Sequence, residues 1–100
     1  MLNSKQRAFL KSLASNIDTI LMVGKGGISS ELIKQADDAL RKRELIKGKV
    51  LETAEDSPMD IALEIAKNTN SEVVQVIGSK FVLFRINPKE PKIELPKKRR

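Results

Sequence analysis

Residues 19–30, TILMVGKGGISS, run from a β-branched apolar stretch through three glycines into a helix start, and a second strand pattern, ELIKGKVL, follows at residues 44–51. Strand, helix and strand in that order make a parallel pair whose crossover is almost always right-handed. That unit limits the chain to α/β architectures with a helix packed on the sheet.

The remaining segments extend the unit on both sides. Asn3 with Gln6 three residues later forms a capping box, and Ala8, Phe9, Leu10 and Leu13 give a helix over about Ser4 to Ala14 an apolar stripe. Thr19 to Val23 suits a strand buried on both faces. Ser29 caps a second helix that carries Leu32, Ile33, Ala36, Ala39 and Leu40 at helical spacing and ends near Arg43. In the next strand Ile46, Gly48 and Val50 share one face, with Leu45, Lys47, Lys49 and Leu51 on the other. Lys47, Lys49 and Arg85 are expected to emerge on the sheet face away from the second and third helices. Ser57, Pro58 and Asp60 start a third helix as cap, first residue and capping-box partner, and Asn68 to Asn70 end it. EVVQVI and KFVLFRI flank Gly78-Ser79, a two-residue link suited to a type II′ hairpin. The order α-β-α-β-α-β-β predicts a two-layer α/β sandwich on a mixed four-stranded sheet, with the other face either open or partly covered by the first helix.

Composition narrows the chemistry. His, Cys, Tyr and Trp are absent from the 100 residues, which removes thiolate–imidazole metal sites, Ser-His-Asp and Cys-His nucleophiles and disulfides. No enzyme, metal or cofactor is expected. The longest uncharged apolar run, Thr19 to Gly24, is far too short to span a membrane, and MLNSKQRAFL lacks a signal-peptide pattern, so a cytoplasmic, monomeric protein is expected. The net charge is +6, of which the last fourteen residues, NPKEPKIELPKKRR, contribute +4. Pro88, Pro91 and Pro96 mark residues 87–100 as an extended basic tail beyond a domain of residues 1–86. Lys97, Lys98, Arg99 and Arg100 are either a solubilising end or an arm for phosphates.

Gly24, Lys25, Gly26 and Gly27 lie where unpaired amides and the positive end of a helix dipole favour an anion. Missing Cβ atoms let a ligand approach the backbone, and Lys25 adds a cation. The pattern GxxxxGK[ST] is absent. GxGxxG would need Ser29 as its third glycine, and a single βαβ unit leaves little room for a dinucleotide crevice. GxxG at positions 24 and 27 matches better the loop with which KH domains clamp a nucleic-acid backbone.

QRAFLKSLA, ILMVGKGGIS, ALRKRELIKGKVL and VVQVIGSKFVLFR, in this order and spacing, resemble the CRM domain of the YhbY family over residues 2–86. The resemblance implies a fold like the C-terminal domain of bacterial initiation factor three, with strand order 1-2-4-3 and the last strand antiparallel. It also implies RNA binding: small bacterial members are thought to bind ribosomal RNA in precursors of the large subunit, and the single copy here fits that stand-alone form. The family's loop falls on Gly24, Lys25 and Gly27, and its LIK segment on Leu45, Ile46 and Lys47. Phe84 stands where the family usually has tyrosine, Ser79 where it commonly has arginine, and no proline precedes the first strand.

Lys5, Arg7 and Lys11 on the first helix, and Lys34 and Arg41 on the second, are further cations that could flank the loop and follow a phosphate backbone. Asp37, four residues before Arg41, can neutralise part of that charge. With Phe9, Phe81 and Phe84 as the only aromatics, base stacking is limited and recognition should favour backbone and shape. The expected function is RNA binding during large-subunit assembly; the alternative is a protein–protein adaptor on the ribosome with weak electrostatic anchoring.

Overall fold

The computed structural model describes residues 2–96. Its elements run α1 (Ser4–Ala14), β1 (Thr19–Val23), α2 (Ser30–Arg43), β2 (Leu45–Val50), α3 (Pro58–Thr69), β3 (Glu72–Ile77) and β4 (Lys80–Phe84). The sheet has the order β1-β2-β4-β3, with β1 and β2 parallel and β4 antiparallel to both its neighbours. The elements and the order are those expected.

Local chemistry sets the boundaries. The Asn3 side chain accepts from the Gln6 N–H at 2.8 Å while the Gln6 side chain accepts from the Asn3 N–H at 3.2 Å, closing the capping box. Ser29 and Ser57 cap α2 and α3 through the N–H groups of Leu32 and Asp60. The reciprocal Asp60 contact expected at α3 is not among the hydrogen bonds there, so Ser57 caps alone. Asn70 ends α3 at φ 55°, in the left-handed conformation that asparagine tolerates. Gly78 turns the hairpin at φ 57°, and Ile77 sits directly opposite Lys80.

The main core lies between the sheet and the α2–α3 layer. Leu21, Val23, Ile46, Val50, Phe81 and Leu83 from the strands meet Leu32, Ala36, Leu40, Ile61 and Ile65 from the helices. A second cluster on the opposite face joins Leu10 and Ala14 of α1 to Leu45, Val74, Val82 and Phe84. Helix α1 covers only part of that face. Thus β1 is not buried on both sides: Met22 is 58% exposed, because β1 is an edge strand beyond the reach of α1.

Arg85 also departs from expectation. It turns to the α2–α3 side, where its guanidinium donates to Asp37 Oδ1 at 2.6 Å and to the Thr69 carbonyl at 2.7 Å, tying the end of β4 to both helices. Hydrogen bonding to Arg85 holds the Asp37 carboxyl below its ordinary range, against a smaller opposing effect of desolvation. Since the folded pKa is the lower one, this pair stabilises the fold above the usual carboxylate range and loses its effect as pH falls through the lowered value.

The segment after residue 86 does not extend away from the domain. Glu44, fully buried at the end of α2 with φ 64°, aims its carboxylate at the following chain: Oε2 accepts from the Asn87 N–H at 2.6 Å, and Oε1 from the N–H groups of Lys92 and Ile93, each at 2.7 Å. Ile93 and Leu95 pack on the second cluster, and the Pro96 carbonyl accepts from Gln6. Residues 87–96 are irregular, as their prolines require, yet they are anchored to the domain. Three charge-assisted bonds explain why a carboxylate can occupy a dry site.

Glu44→Gln keeps the shape but turns one acceptor into a donor facing an N–H. We expect a loss of about 1–3 kcal/mol in urea unfolding, with faster amide exchange at Lys92 and Ile93 than in the central strands. An unchanged midpoint would show that the carboxylate does not hold this segment.

Candidate nucleic-acid interface

The parallel strands β1 and β2 and the β3–β4 hairpin tip meet at one end of the sheet, where Val23 pairs with Val50 and the Val50 N–H donates to the Ser79 carbonyl at 2.7 Å. Residues 24–27 leave β1 at this end as a tight turn closed by the Gly27 N–H donating to the Gly24 carbonyl at 2.9 Å. The three glycines differ in what requires them. A Cβ at Gly24 would press on Thr53 and Leu51, at 3.2 and 3.3 Å. Gly27 has φ 64°, which penalises any side chain. Gly26 lacks that left-handed φ, and a Cβ there would meet nothing within 4 Å. Lys25 and Gly26 form the exposed tip, with Gly27, Ile28 and the cap Ser29 between it and the positively polarised first turn of α2.

The proposed cations do not all gather at this tip. Lys34 is exposed one turn into α2, near it. Arg41 lies seven residues further along the helix, about 10 Å at 1.5 Å per residue, and pairs with Asp37 at 2.8 Å and Asp38 at 3.3 Å. Lys5 and Arg7 sit at the far end of the sheet, since α1 begins beside the start of β3. Arg7 donates to the carbonyls of Val73 and Val74 at 2.6 and 3.1 Å, where the β3–β4 register shifts. It therefore satisfies backbone groups that the bulge frees from the ladder. Lys47 and Lys49 emerge on the α1 face of β2 as expected, both half-buried. Lys97, Lys98, Arg99 and Arg100 lie outside the described residues.

Strand pairing adds Lys80, which the sequence reading did not single out. It stands directly across from Lys49. The two-residue turn was the available signal, because it places Lys80 opposite Ile77 and fixes its face by parity. Lys11, near the end of α1, borders the same surface with Lys47. None of Lys11, Lys25, Lys47, Lys49 and Lys80 is within ion-pair distance of a carboxylate among the described residues. The three phenylalanines all serve the cores: Phe81 and Phe84 are buried, and Phe9 packs on the second cluster. Among the described residues no group of three carboxylates could hold a metal, and no helix is long and apolar enough to cross a membrane.

This arrangement defines a class: an α/β domain with a bare, lysine-bearing glycine turn at the open end of a parallel strand pair. Residues 2–85 match the CRS1 / YhbY (CRM) domain, and the chain belongs to that family. It is 43% identical over 96 residues to the probable RNA-binding protein YqeI of Bacillus subtilis, covering 96% of this chain and all of YqeI. An RNA-binding protein of Haemophilus influenzae is 36% identical, with 97% of each chain covered. The solution structure of SAV1595 from Staphylococcus aureus superposes with a TM-score of 0.80 at 49% identity, over 96% of this chain and 100% of that one.

The two tip glycines should separate in stability. Gly27→Ala forces a side chain into a left-handed backbone at a cost of about 1–2 kcal/mol, whereas Gly26→Ala should leave the urea midpoint within error. Equal losses would contradict the conformations described for the turn.

Proposed function

We propose that this chain is a non-enzymatic, cytoplasmic, monomeric RNA-binding protein that acts on ribosomal RNA in precursors of the large ribosomal subunit. Its relatives in Bacillus subtilis and Haemophilus influenzae, which it matches over nearly their whole length, are named as RNA-binding proteins. The observation that carries the reading is the turn of residues 24–27, where the exposed tip offers backbone without side chains and Lys25 as a free cation beside a helix start. A phosphate seated there would receive backbone N–H groups and an ammonium together. Lys34, Lys49 and Lys80 supply electrostatic support around the turn, and Lys97, Lys98, Arg99 and Arg100 add four positive charges to the chain. The family resemblance is what supports ribosomal RNA and large-subunit precursors as the target. The composition supports the absence of catalysis, since the usual nucleophile–base pairs cannot be built.

On sucrose gradients the tagged protein should migrate with large-subunit precursors in preference to mature ribosomes and dissociate as salt rises, because phosphate contacts release counterions. Lys25→Ala should lower binding to protein-free precursor RNA while leaving the melting temperature unchanged. Retention at high salt, without affinity for naked RNA and without an effect of Lys25→Ala, would identify a ribosome-bound adaptor instead.

A further inference from the structure

On the α1 face, at the same end as the glycine turn, Met22, Lys49, Lys80 and Ile77 stand side by side across all four strands. The row is open to solvent: Met22 is 58% and Ile77 63% exposed, although both are large and apolar. Where it reaches the end of α1, the surface sinks into a cavity of about 300 Å³. Ala14, Val82 and Ile77 give this cavity apolar walls, Gln75 supplies an amide, and Lys11, Lys47 and Lys80 stand around it. The β3 bulge contributes directly. By placing Val74 in the second core cluster and Gln75 opposite Val82, it turns two consecutive residues towards the α1 face.

We infer that this cavity receives the base of one unpaired nucleotide of the RNA whose backbone the glycine turn holds. The inference rests on the RNA-binding reading and adds what that reading leaves open, the single-stranded character of part of the target. Three features select this occupant. No carboxylate lines the cavity, and its three lysines lack carboxylate partners among the described residues, so the rim complements a phosphate on either side of the base. An aliphatic floor with the Gln75 amide and the Ser15 hydroxyl offers dispersion to any base face and both donors and acceptors to a base edge. The volume lies at the small end of ligand sites, which span about 300–1,000 Å³, and suits one base better than a paired stem. From β1 to β3 are three strand spacings of about 4.8 Å, roughly 14 Å, so one short stretch of RNA can reach both the turn and the cavity. With every phenylalanine in a core, an aliphatic pocket is the means by which this surface can hold a base.

The test compares two RNA hairpins of equal length, one fully paired and one with a single-nucleotide bulge, by fluorescence anisotropy with the full chain. The bulged hairpin should bind about five- to tenfold tighter. Gln75→Leu and Ile77→Ser, each checked by thermal melting, should bring the ratio of affinities close to one, whereas Lys25→Ala should weaken both hairpins together and preserve the ratio. Equal affinity of the wild-type protein for the two hairpins, or a ratio unmoved by both pocket variants, overturns the inference while leaving RNA binding in place. A protein partner on this face would also give a ratio of one. Failure to bind either hairpin would overturn the RNA-binding reading itself.

Discussion

Gly48 and Phe81 face each other on the two central strands, and the ring of Phe81 occupies the space where a β-carbon of residue 48 would lie. The largest fully buried side chain thus rests directly on the backbone of β2. A glycine inside a strand weakens it by itself, but here the ring restores the missing apolar contact across the ladder. The consequence reaches both layers. Leu21, Ile46 and Leu83 pack in the same cluster with α2 and α3, so the ring seated on Gly48 lies in the layer that carries both helices.

With one face committed to that core, the other is free to differ along its length. Near the beginning of β3 it is closed by α1, by Arg7 on the bulge carbonyls and by the chain after β4 held on Glu44. Towards the glycine turn it is open and carries Lys47, Lys49 and Lys80. Anchoring and exposure therefore divide one sheet face into an anchored end and an open, cationic end. The cations divide in the same way. Arg7 and Arg85 are consumed by backbone carbonyls and a carboxylate, while the lysines facing the open end have no carboxylate within ion-pair distance among the described residues.

Most of the fold was legible because its signals are local. Capping at Asn3, Ser29 and Ser57, the apolar stripes of the helices and the glycine-first hairpin turn each depend on residues a few positions apart, and each is found, with only the Asp60 half of the box at α3 missing. The loop was legible for the same reason. What escaped depends on long-range partners. The prolines after residue 86 suggested a free tail, since no local pattern shows that Glu44, more than forty positions earlier, would accept three of its amides. Arg7 looked like an available cation because a helix face does not reveal that it meets strand carbonyls, whereas the pairing of Arg41 with Asp37, four residues away on the same helix, was legible as a local pattern. Lys80 was missed because its place beside Lys49 exists only once the strands are paired.

The central claim is that RNA meets this protein at the end of the sheet where the glycine turn and the open row of β-strand side chains come together. Titrating the isotope-labelled full chain with a fragment of large-subunit ribosomal RNA, and following backbone amide resonances, tests it most directly. The account predicts the largest shifts at residues 24–27, followed by Lys49, Ile77 and Lys80, with little change along the outer face of α3 or at Lys5. Shifts concentrated on α3 or at the start of α1, with the glycine turn unmoved by bound RNA, would contradict it.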